Sequence, residues 1–203
     1  MERSFDSAQL MRSVFDPRLP GPESANGSAS LPASSRGQHT FAEVYAHHFV
    51  LVWRSLRHLG VPAQLLDDAV QDVWLVVHRK LAEFDGRSAL STWLFGICIN
   101  VARSRRRARE VAQPPEPLSE DVQSREPSPE HALESSRAWT LVQAFLAELP
   151  ELQRAIFVSS LLENFSPAET ASATGVDVNT VYKRVRALRR SFQRRLARSQ
   201  EER

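Results

Sequence analysis

The sequence predicts an all-α protein made of two small helical modules joined by an acidic, proline-rich linker. Apolar residues recur at steps of three and four in two separate stretches, and no stretch of any length alternates with the two-residue period of a strand. Between the two lies "AQPPEPLSEDVQSREPSPEH", which has five prolines and no apolar period. We therefore expect modules at residues 38–111 and 135–198, a linker at 112–134 and a short tail at 199–203.

Residues 1–37 precede the first module and are rich in Ser, Pro, Ala and Gly, as in "RLPGPESANGSASLPASSRG". This composition supplies few core residues, so we expect a disordered N-terminal extension. The short piece "FDSAQLMRSVF" within it could instead become a helix against a partner.

Three helical segments can close one small core in the first module. The first begins at Thr40, the second opens at Pro62, and the third begins at about Ala89, after a break at Gly86. Their inward positions are Phe41, Val44, Tyr45, His48, Val52, Leu56 and Leu59, then Leu66, Ala69, Val70, Val73, Trp74, Val77 and Leu81, then Leu90, Trp93, Leu94, Ile97, Cys98 and Val101. The third segment ends in "RSRRRAR".

Helical pattern resumes near Ala132 in the second module. One apolar stripe lies within residues 141–149 and the next within 152–162, with Pro150 between them. Charge is distributed unevenly: residues 38–111 carry ten Lys/Arg against seven Asp/Glu, residues 112–137 two against six, and residues 138–198 nine against five. The two modules, and not the acidic segment between them, are therefore candidates for binding a polyanion.

The stretch "SPAETASATGVDVNTVYKRVRALRR" has the pattern of a helix-turn-helix. Ala171 is small where a second helix must approach closely, and Gly175 easily adopts the positive φ that ends a helix. Ser166 is expected to cap the first helix, and Asp177 or Asn179 the second. The apolar positions that hold the second helix down are Val181, Val185, Leu188 and Phe192.

The outer face of that second helix has the composition of a DNA-reading surface. Its hydrogen-bonding residues, suited to base edges in a major groove, are Asn179, Thr180, Tyr182, Lys183 and Arg186. The arginines better suited to phosphates are Arg184, Arg189, Arg190, Arg194 and Arg195. A solvated basic helix ending an α-hairpin is the alternative, and the turn pattern favours DNA reading.

The second helix of the first module carries an acidic stripe opposite its apolar face. Asp68, Gln71, Asp72 and Leu75 share this face at i, i+3, i+4 and i+7 spacing. A stripe of this kind suits a basic or mixed helix of a protein partner, although a plain solvated face fits these residues equally well. Helical neighbours on an outer face enclose no metal site and have no nucleophile beside them.

The stretch "EFDGRSALSTWLFGICINVARSRRRAR" combines a tight loop with an arginine-rich helix. Phe84, Gly86, Arg87 and Ser88 form the loop, and Trp93 is expected in the core. We expect Phe95 and Ile99 to lie off the main buried stripe, near Asn100. This arrangement could hold an unstacked base while the arginines clamp a backbone, and a solvated face is the alternative. The arginines are Arg103, Arg105, Arg106, Arg107 and Arg109.

Several function classes lack their motifs. Cys98 is the only cysteine and lies on a buried stripe, so no intramolecular disulfide and no zinc-binding thiolate cluster can form. HExxH, Walker and GxSxG motifs are absent, so we expect neither an enzyme nor a cofactor or bound metal. The apolar runs are too short to cross a bilayer and the first residues contain no secretory signal, which predicts a soluble, cytoplasmic protein.

Together these motifs resemble the bacterial sigma factors of the sigma-70 type, specifically the small extracytoplasmic-function (ECF) group. "LLDDAVQDVWLVVHRKL" is similar to sigma region 2.2, and "FDGRSALSTWLFGICINVARSRRRA" is similar to regions 2.3 and 2.4. "LAELPELQRAIFVSSLLENFSPAETASATGVDVNTVYKRVRALRRSFQRRL" is similar to region 4. The three motifs occur in the family's order, with a linker in place of region 3 and without region 1.1.

The resemblance implies a role for each surface. Asp68, Gln71, Asp72 and Leu75 would bind the β′ clamp helices of core RNA polymerase. Residues of the loop and the following helix would contact the −10 promoter element: Phe84, Gly86, Arg87, Ser88, Asn100, Arg103 and Arg106. The −35 element would be contacted by Asn179, Thr180, Tyr182, Lys183, Arg186 and Arg190. Residues 141–162 would meet the β flap, and an anti-sigma factor would hold the chain inactive.

Three positions depart from the family pattern. The run "FGICIN" lacks the basic residue that the family usually has around Gly96 and Ile99, and the loop reads "DGR" where "RGD" is common. Tyr182 replaces a residue that is commonly basic or polar. These departures concern the promoter sequence rather than the fold.

The implied function is promoter recognition and transcription initiation with bacterial core RNA polymerase. The alternative is a stand-alone helix-turn-helix regulator that binds duplex DNA without polymerase, which would leave the acidic stripe and the "FDGRS" loop without a role. A third hypothesis is an interaction protein, such as a decoy that binds polymerase or a sigma antagonist. Co-purification with core polymerase separates the first two hypotheses.

Overall fold

The structure, a computed structural model, describes residues 39–112 and 129–201, and in these ranges every regular element is helical. The first module contains α1 (Phe41–His58), α2 (Leu66–Lys80) and α3 (Leu90–Ala112). The second contains α4 (Pro129–Glu148), α5 (Glu151–Phe157), α6 (Pro167–Thr174) and α7 (Val178–Glu201). The predicted all-α fold with two helical modules is confirmed.

Two of the helices begin with the same reciprocal cap. The Thr40 hydroxyl accepts a hydrogen bond from the Glu43 N–H at 3.3 Å, and the Glu43 carboxylate accepts one from the Thr40 N–H at 3.0 Å. Ser166 and Glu169 repeat the arrangement at α6, at 3.2 Å and 2.8 Å, with Pro167 in the first helical position. Each cap satisfies two backbone donors and contributes about 1 kcal/mol.

Two helix starts differ from the sequence-based expectation. Pro62 precedes a single 3-10 turn, Ala63–Leu65, so α2 begins at Leu66 and not at the proline. Helix α4 begins at Pro129, before the expected start near Ala132, so residues 129–134 of the expected linker are helical. Residues 113–128 of that linker and the N-terminal extension at 1–37 lie outside the described part of the chain.

Each module has its own apolar centre. In the first, the three helices pack around five side chains with no exposed surface, Val52, Leu56, Val73, Val77 and Leu94. In the second, Phe145, Phe157 and Phe192 form a triangle with ring centroids 5.2–5.7 Å apart. Helix α5 continues into a π-helical turn, Val158–Leu162, whose side chains close this centre.

The two modules pack against each other through α3 and α6. Phe95 and Ile99, which are expected off the main buried stripe of α3, are themselves buried, with exposed fractions of 0% and 6%. Phe95 meets the edge of Phe165 from the second module at 5.4 Å. A Cβ added at Gly96 would lie 3.7 Å from the carbonyl oxygen of Ala173, which is ordinary van der Waals contact, so α3 and α6 approach each other closely here. The second module therefore covers one face of α3.

Gly60 marks a further contact between the modules. Its φ is +91°, and a Cβ there would collide with Nη1 of Arg154. That guanidinium donates to the Leu59 carbonyl at 3.1 Å and to the Leu146 carbonyl at 2.8 Å. One arginine thereby satisfies carbonyls at the ends of both α1 and α4.

We expect Gly60→Ala to lower the free energy of unfolding by about 1–3 kcal/mol, because it adds backbone strain and displaces Arg154 from the Leu59 carbonyl. Gly86→Ala is the matched control, since Gly86 has φ +72° with no atom within 4 Å of an added Cβ. Urea unfolding followed by circular dichroism measures both. Equal losses in the two variants would contradict a role for Arg154.

Candidate nucleic-acid interface

The C-terminal segment folds as the helix-turn-helix that the sequence predicts. Gly175 ends α6 in the left-handed region at φ 72°. The Asp177 carboxylate accepts hydrogen bonds from the N–H groups of Asn179 at 2.9 Å and of Thr180 at 3.3 Å. Asp177 therefore caps α7, and the Asn179 residue is exposed.

The outer face of α7 is presented to solvent because the inner face is held firmly. Val181, Val185, Leu188 and Phe192 are between 0% and 4% exposed. The exposed residues on the opposite face are Asn179, Lys183, Arg186 and Arg190, and Thr180 and Tyr182 are half-buried beside them. All six predicted contact residues thus lie along one helix, which has the width that a major groove admits.

Among the arginines assigned to phosphates, Arg195 has a structural partner in the same chain. Arg195 forms an ion pair with Glu148, which joins α7 to α4, and this hydrogen bond lowers the pKa of Glu148. Arg194 is exposed, so it remains suited to a phosphate contact.

The acidic stripe lies on the surface of α2, as its spacing predicts. Asp68, Gln71 and Leu75 are exposed, and the Leu75 residue is 46% exposed. The half-buried Asp72 accepts a hydrogen bond from Nε of Arg105 at 2.8 Å, and Nη1 of Arg105 lies 3.8 Å from the Asp68 carboxylate. Arg105 therefore fixes the acidic stripe to the arginine-rich end of α3.

The loop before α3 is shaped by its own side chains. Phe84 packs on Trp93, with ring centroids 5.2 Å apart, and Gly86 has φ +72°. Asp85 accepts a hydrogen bond from the Arg87 N–H at 3.1 Å and pairs with the Arg87 guanidinium at 2.8 Å. The loop is therefore a compact, exposed corner, and Ser88 is half-buried at its end.

The predicted contact residues of α3 differ in their exposure and in their partners. Asn100 is exposed, whereas Arg103 and Arg106 both form ion pairs with Glu151 of the second module. In this arrangement the two arginines hold a carboxylate of the same chain. The loop residues and Asn100 remain accessible beside them.

A buried charged cluster between the modules was not anticipated from the sequence. The Glu163 side chain is only 2% exposed and accepts a hydrogen bond from Nε of Arg54 at 2.9 Å. Burial raises the pKa of Glu163, and the hydrogen bond from Arg54 opposes that shift. His58 lies 3.8 Å from the same carboxylate, and its ring centroid lies 4.9 Å from that of Trp139 with the two rings tilted by 51°. Arg54 and Glu163 are 109 residues apart in sequence, so the local sequence pattern does not indicate that they form a pair.

His58 should make the stability of the chain depend on pH. Burial, followed by the positive charges of Arg54 and Arg57, lowers the pKa of His58 to about 3 from its ordinary 6.5. The stabilisation from neutral His58 is therefore complete above pH 6.5 and is lost as the pH falls toward 3. Glu163 acts in the opposite direction, because its pKa is raised. The stabilisation that comes from its protonated carboxyl is complete below its ordinary pKa and is lost as the pH rises.

We expect the parent chain to be about 2 kcal/mol less stable at pH 5 than at pH 8 because of His58 alone. Urea unfolding at several pH values measures the slope. His58→Gln should flatten this slope, while His47→Gln on the exposed face of α1 should keep it. An unchanged slope in the His58 variant would contradict the assignment.

The described ranges contain neither a metal-binding cluster nor a membrane-crossing helix. No group of three or more His, Cys, Asp or Glu residues there could hold a metal ion. In the same ranges, the helices are too short or too polar to cross a membrane.

Comparison with known proteins assigns both modules. The family model described as Sigma-70 region 2 matches residues 44–111, and that described as Sigma-70, region 4 matches residues 140–191. The ECF RNA polymerase sigma factor SigM of Mycobacterium tuberculosis is 33% identical over 147 residues, 72% of each chain. The RNA polymerase sigma factor CnrH of Cupriavidus metallidurans is 28% identical over 172 residues, covering 81% of this chain and 90% of CnrH.

Two solved structures share the fold. CnrH in complex with the cytosolic domain of CnrY superimposes with a TM-score of 0.58 at 23% identity, covering 96% of this chain and 98% of CnrH. The sigma factor RpoE in complex with the anti-sigma factor NepR from Bartonella quintana gives 0.56 at 24% identity, covering 75% and 96%.

Proposed function

The chain belongs to the ECF group of sigma-70 family sigma factors, which bind core RNA polymerase and direct promoter recognition and transcription initiation, and we propose how its residues divide this task. The observation that carries the proposal is that regions 2 and 4 occur together and each presents an exposed surface of the appropriate charge. The alternative of a stand-alone regulator leaves the whole region 2 match without a role.

Region 2 is proposed to bind the β′ clamp helices of core polymerase through the stripe of Asp68, Gln71, Asp72 and Leu75. The stripe offers carboxylates around one exposed leucine, which suits a partner helix with basic and apolar residues. Arg105 would hold the Asp72 carboxylate in the orientation that the partner meets.

The corner before α3 is proposed to capture an unstacked base of the −10 element. Phe84, Gly86, Arg87 and Ser88 would form this corner, and Asn100 would lie near its upstream edge. Arg103 and Arg106 would bind the backbone of the separated strand. Unstacking a base costs a few kcal/mol, which these contacts with the backbone would offset.

Region 4 is proposed to read the −35 element with α7. Asn179, Lys183 and Arg186 are exposed at its N-terminal half, with Thr180 and Tyr182 beside them and Arg190 one turn further on. Residues 141–162 support this helix and would meet the flap of the β subunit.

The chain is proposed to act in the bacterial cytoplasm without catalysing a reaction of its own. The described residues contain no membrane-crossing helix and no metal-binding cluster, which is compatible with this proposal. An anti-sigma factor is a further proposed partner. The solved structure of CnrH contains the cytosolic domain of CnrY, and that of RpoE contains the anti-sigma factor NepR.

The test is transcription from a random promoter library with core polymerase and the purified chain. We expect transcripts to start downstream of one recurring pair of sequence elements. Transcripts that are the same with and without the chain would contradict the function. Binding of duplex DNA without any binding to core polymerase would support the stand-alone regulator instead.

A further inference from the structure

A row of aromatic rings runs along one edge of the contact between α1 and α2. Phe41, Tyr45 and Phe49 follow one another at four-residue steps on α1, with neighbouring ring centroids 6.1 and 5.4 Å apart. The ring of Trp74 on α2 lies 5.9 Å from that of Phe41 and 4.7 Å from that of Tyr45, and the His78 ring lies 5.3 Å from that of Phe41. These five rings form one continuous surface, the aromatic face.

Much of the aromatic face is open to solvent. The Tyr45 residue is 41% exposed, His78 is exposed, and Phe41 and Phe49 are half-buried, whereas Trp74 is buried. Several neighbouring aromatic rings with exposed surface form a contiguous apolar area of the kind that proteins use for binding. The polymerase and DNA contacts proposed above use none of these residues.

The N-terminal extension contains a segment that matches this face. Residues 5–15, "FDSAQLMRSVF", are here called the N-terminal segment. Its apolar residues recur at steps of three and four, as on one side of a helix: Leu10, Met11, Val14 and Phe15. Residues 5–15 in a helix would extend over about 15 Å, and the part of the aromatic face on α1, from Phe41 to Phe49, extends over about 12 Å.

The chain that follows the N-terminal segment ends beside the aromatic face. Residues 16–39 connect the segment to Thr40, which caps α1 one residue before Phe41. An unstructured chain of about 24 residues has a root-mean-square length of about 25–30 Å, which gives an attached segment an effective concentration of about 1 mM. A segment that binds this face weakly would therefore still occupy it within its own molecule.

Charge also favours the N-terminal segment as the occupant. The aromatic face borders the last turn of α2, where His78, Arg79 and Lys80 are basic and exposed. Asp6 and Asp16 lie on either side of the apolar stripe of the segment, so a carboxylate can meet this basic turn in either direction of docking. A basic partner helix, such as the one proposed for the acidic stripe, would be repelled at the same place.

We propose that the N-terminal segment docks as a helix on the aromatic face and covers Tyr45 and the rings beside it. The segment then forms a fourth helix of region 2. With an effective concentration of about 1 mM and a dissociation constant of about 0.1 mM for the separate segment, about nine molecules in ten are docked. The inference does not depend on the proposed promoter function, because it concerns the free chain without polymerase or DNA.

The experiment measures amide hydrogen exchange of residues 5–15 by mass spectrometry on the full chain. Tyr45→Glu places a charge on the aromatic face, and Val50→Glu is its matched control, because Val50 is 66% exposed on another side of α1. Met11→Asp places a charge in the apolar stripe of the segment, and Ser13→Asp is the control that lies off this stripe. Circular dichroism shows whether Tyr45→Glu remains folded, and Met11→Asp gives the same test without altering a described helix.

We expect the segment to exchange about tenfold more slowly in the parent than in Tyr45→Glu and Met11→Asp, with both controls equal to the parent. This protection should persist over a roughly hundredfold dilution, because the segment and the face belong to one molecule. Protection that is lost on dilution would assign the face to a second copy of the chain and overturn the proposal. Absence of protection in the parent, or an equal loss in Val50→Glu and Tyr45→Glu, would overturn it as well.

Discussion

Replacing Asp68 and Asp72 together with arginine is expected to abolish promoter-dependent transcription while leaving both modules folded. The two carboxylates lie one turn apart on the outer face of α2, and the neighbouring Ala69 and Val73 are buried on its inner face. Reversing both charges turns an attractive surface into a repulsive one for a basic helix. We expect binding to core polymerase to weaken by at least about a hundredfold, or about 3 kcal/mol.

His47→Arg is the control, since His47 is exposed on α1 and lies outside the stripe. Surface binding to immobilised core polymerase and a run-off transcript provide the two readouts. The double variant also removes the contacts of Arg105, so its unfolding curve must be compared with that of the parent. Equal affinity of the double variant and the parent for core polymerase would refute the assignment of this surface.

Phe192→Ala is expected to destabilise region 4 by about 3–5 kcal/mol, a large share of the 5–15 kcal/mol that typically separates folded from unfolded states. Phe192 is 1% exposed and meets both Phe145 and Phe157 at ring distances of 5.2 and 5.7 Å. Its loss leaves a cavity at the base of α7. Binding of duplex −35 DNA should fall with it, because the reading face depends on that packing.

Urea unfolding followed by circular dichroism gives the change in free energy, and duplex binding is measured on the same samples. Val50→Ala is the control, because Val50 is apolar but 66% exposed, and we expect a change within about 0.5 kcal/mol. A loss below about 1 kcal/mol in the Phe192 variant would show that the aromatic triangle does not hold α7 in place.

The helix-turn-helix could be predicted because its determinants are local. Ser166 and Gly175 determine where α6 begins and ends through their own backbone and near neighbours. The sequence left the cap of α7 open between Asp177 and Asn179, and the structure assigns it to Asp177. The acidic stripe on α2 could be predicted in the same way, because residues three and four positions apart share one face of a regular helix.

The contact between the modules could not be predicted, because its determinants are distant in sequence. Glu151 meets Arg103 from 48 residues away, and Phe95 is buried by a segment of the other module. Helical periodicity identified one buried face of α3 and left Phe95 and Ile99 outside it. The second face of α3 is buried only because the two modules pack together, and the local sequence pattern does not indicate that packing.

The long sequence separation of Arg54 and Glu163 has a consequence for how the chain is made. A ribosome adds roughly 5–20 residues per second, and N-terminal domains generally fold first. About fifty residues lie between the end of α3 and Glu163, so the face containing Phe95 and Ile99 stays uncovered for roughly 3–10 s during synthesis. During that interval the nascent chain exposes an apolar surface that it later covers itself, and such a transiently exposed surface is prone to aggregation.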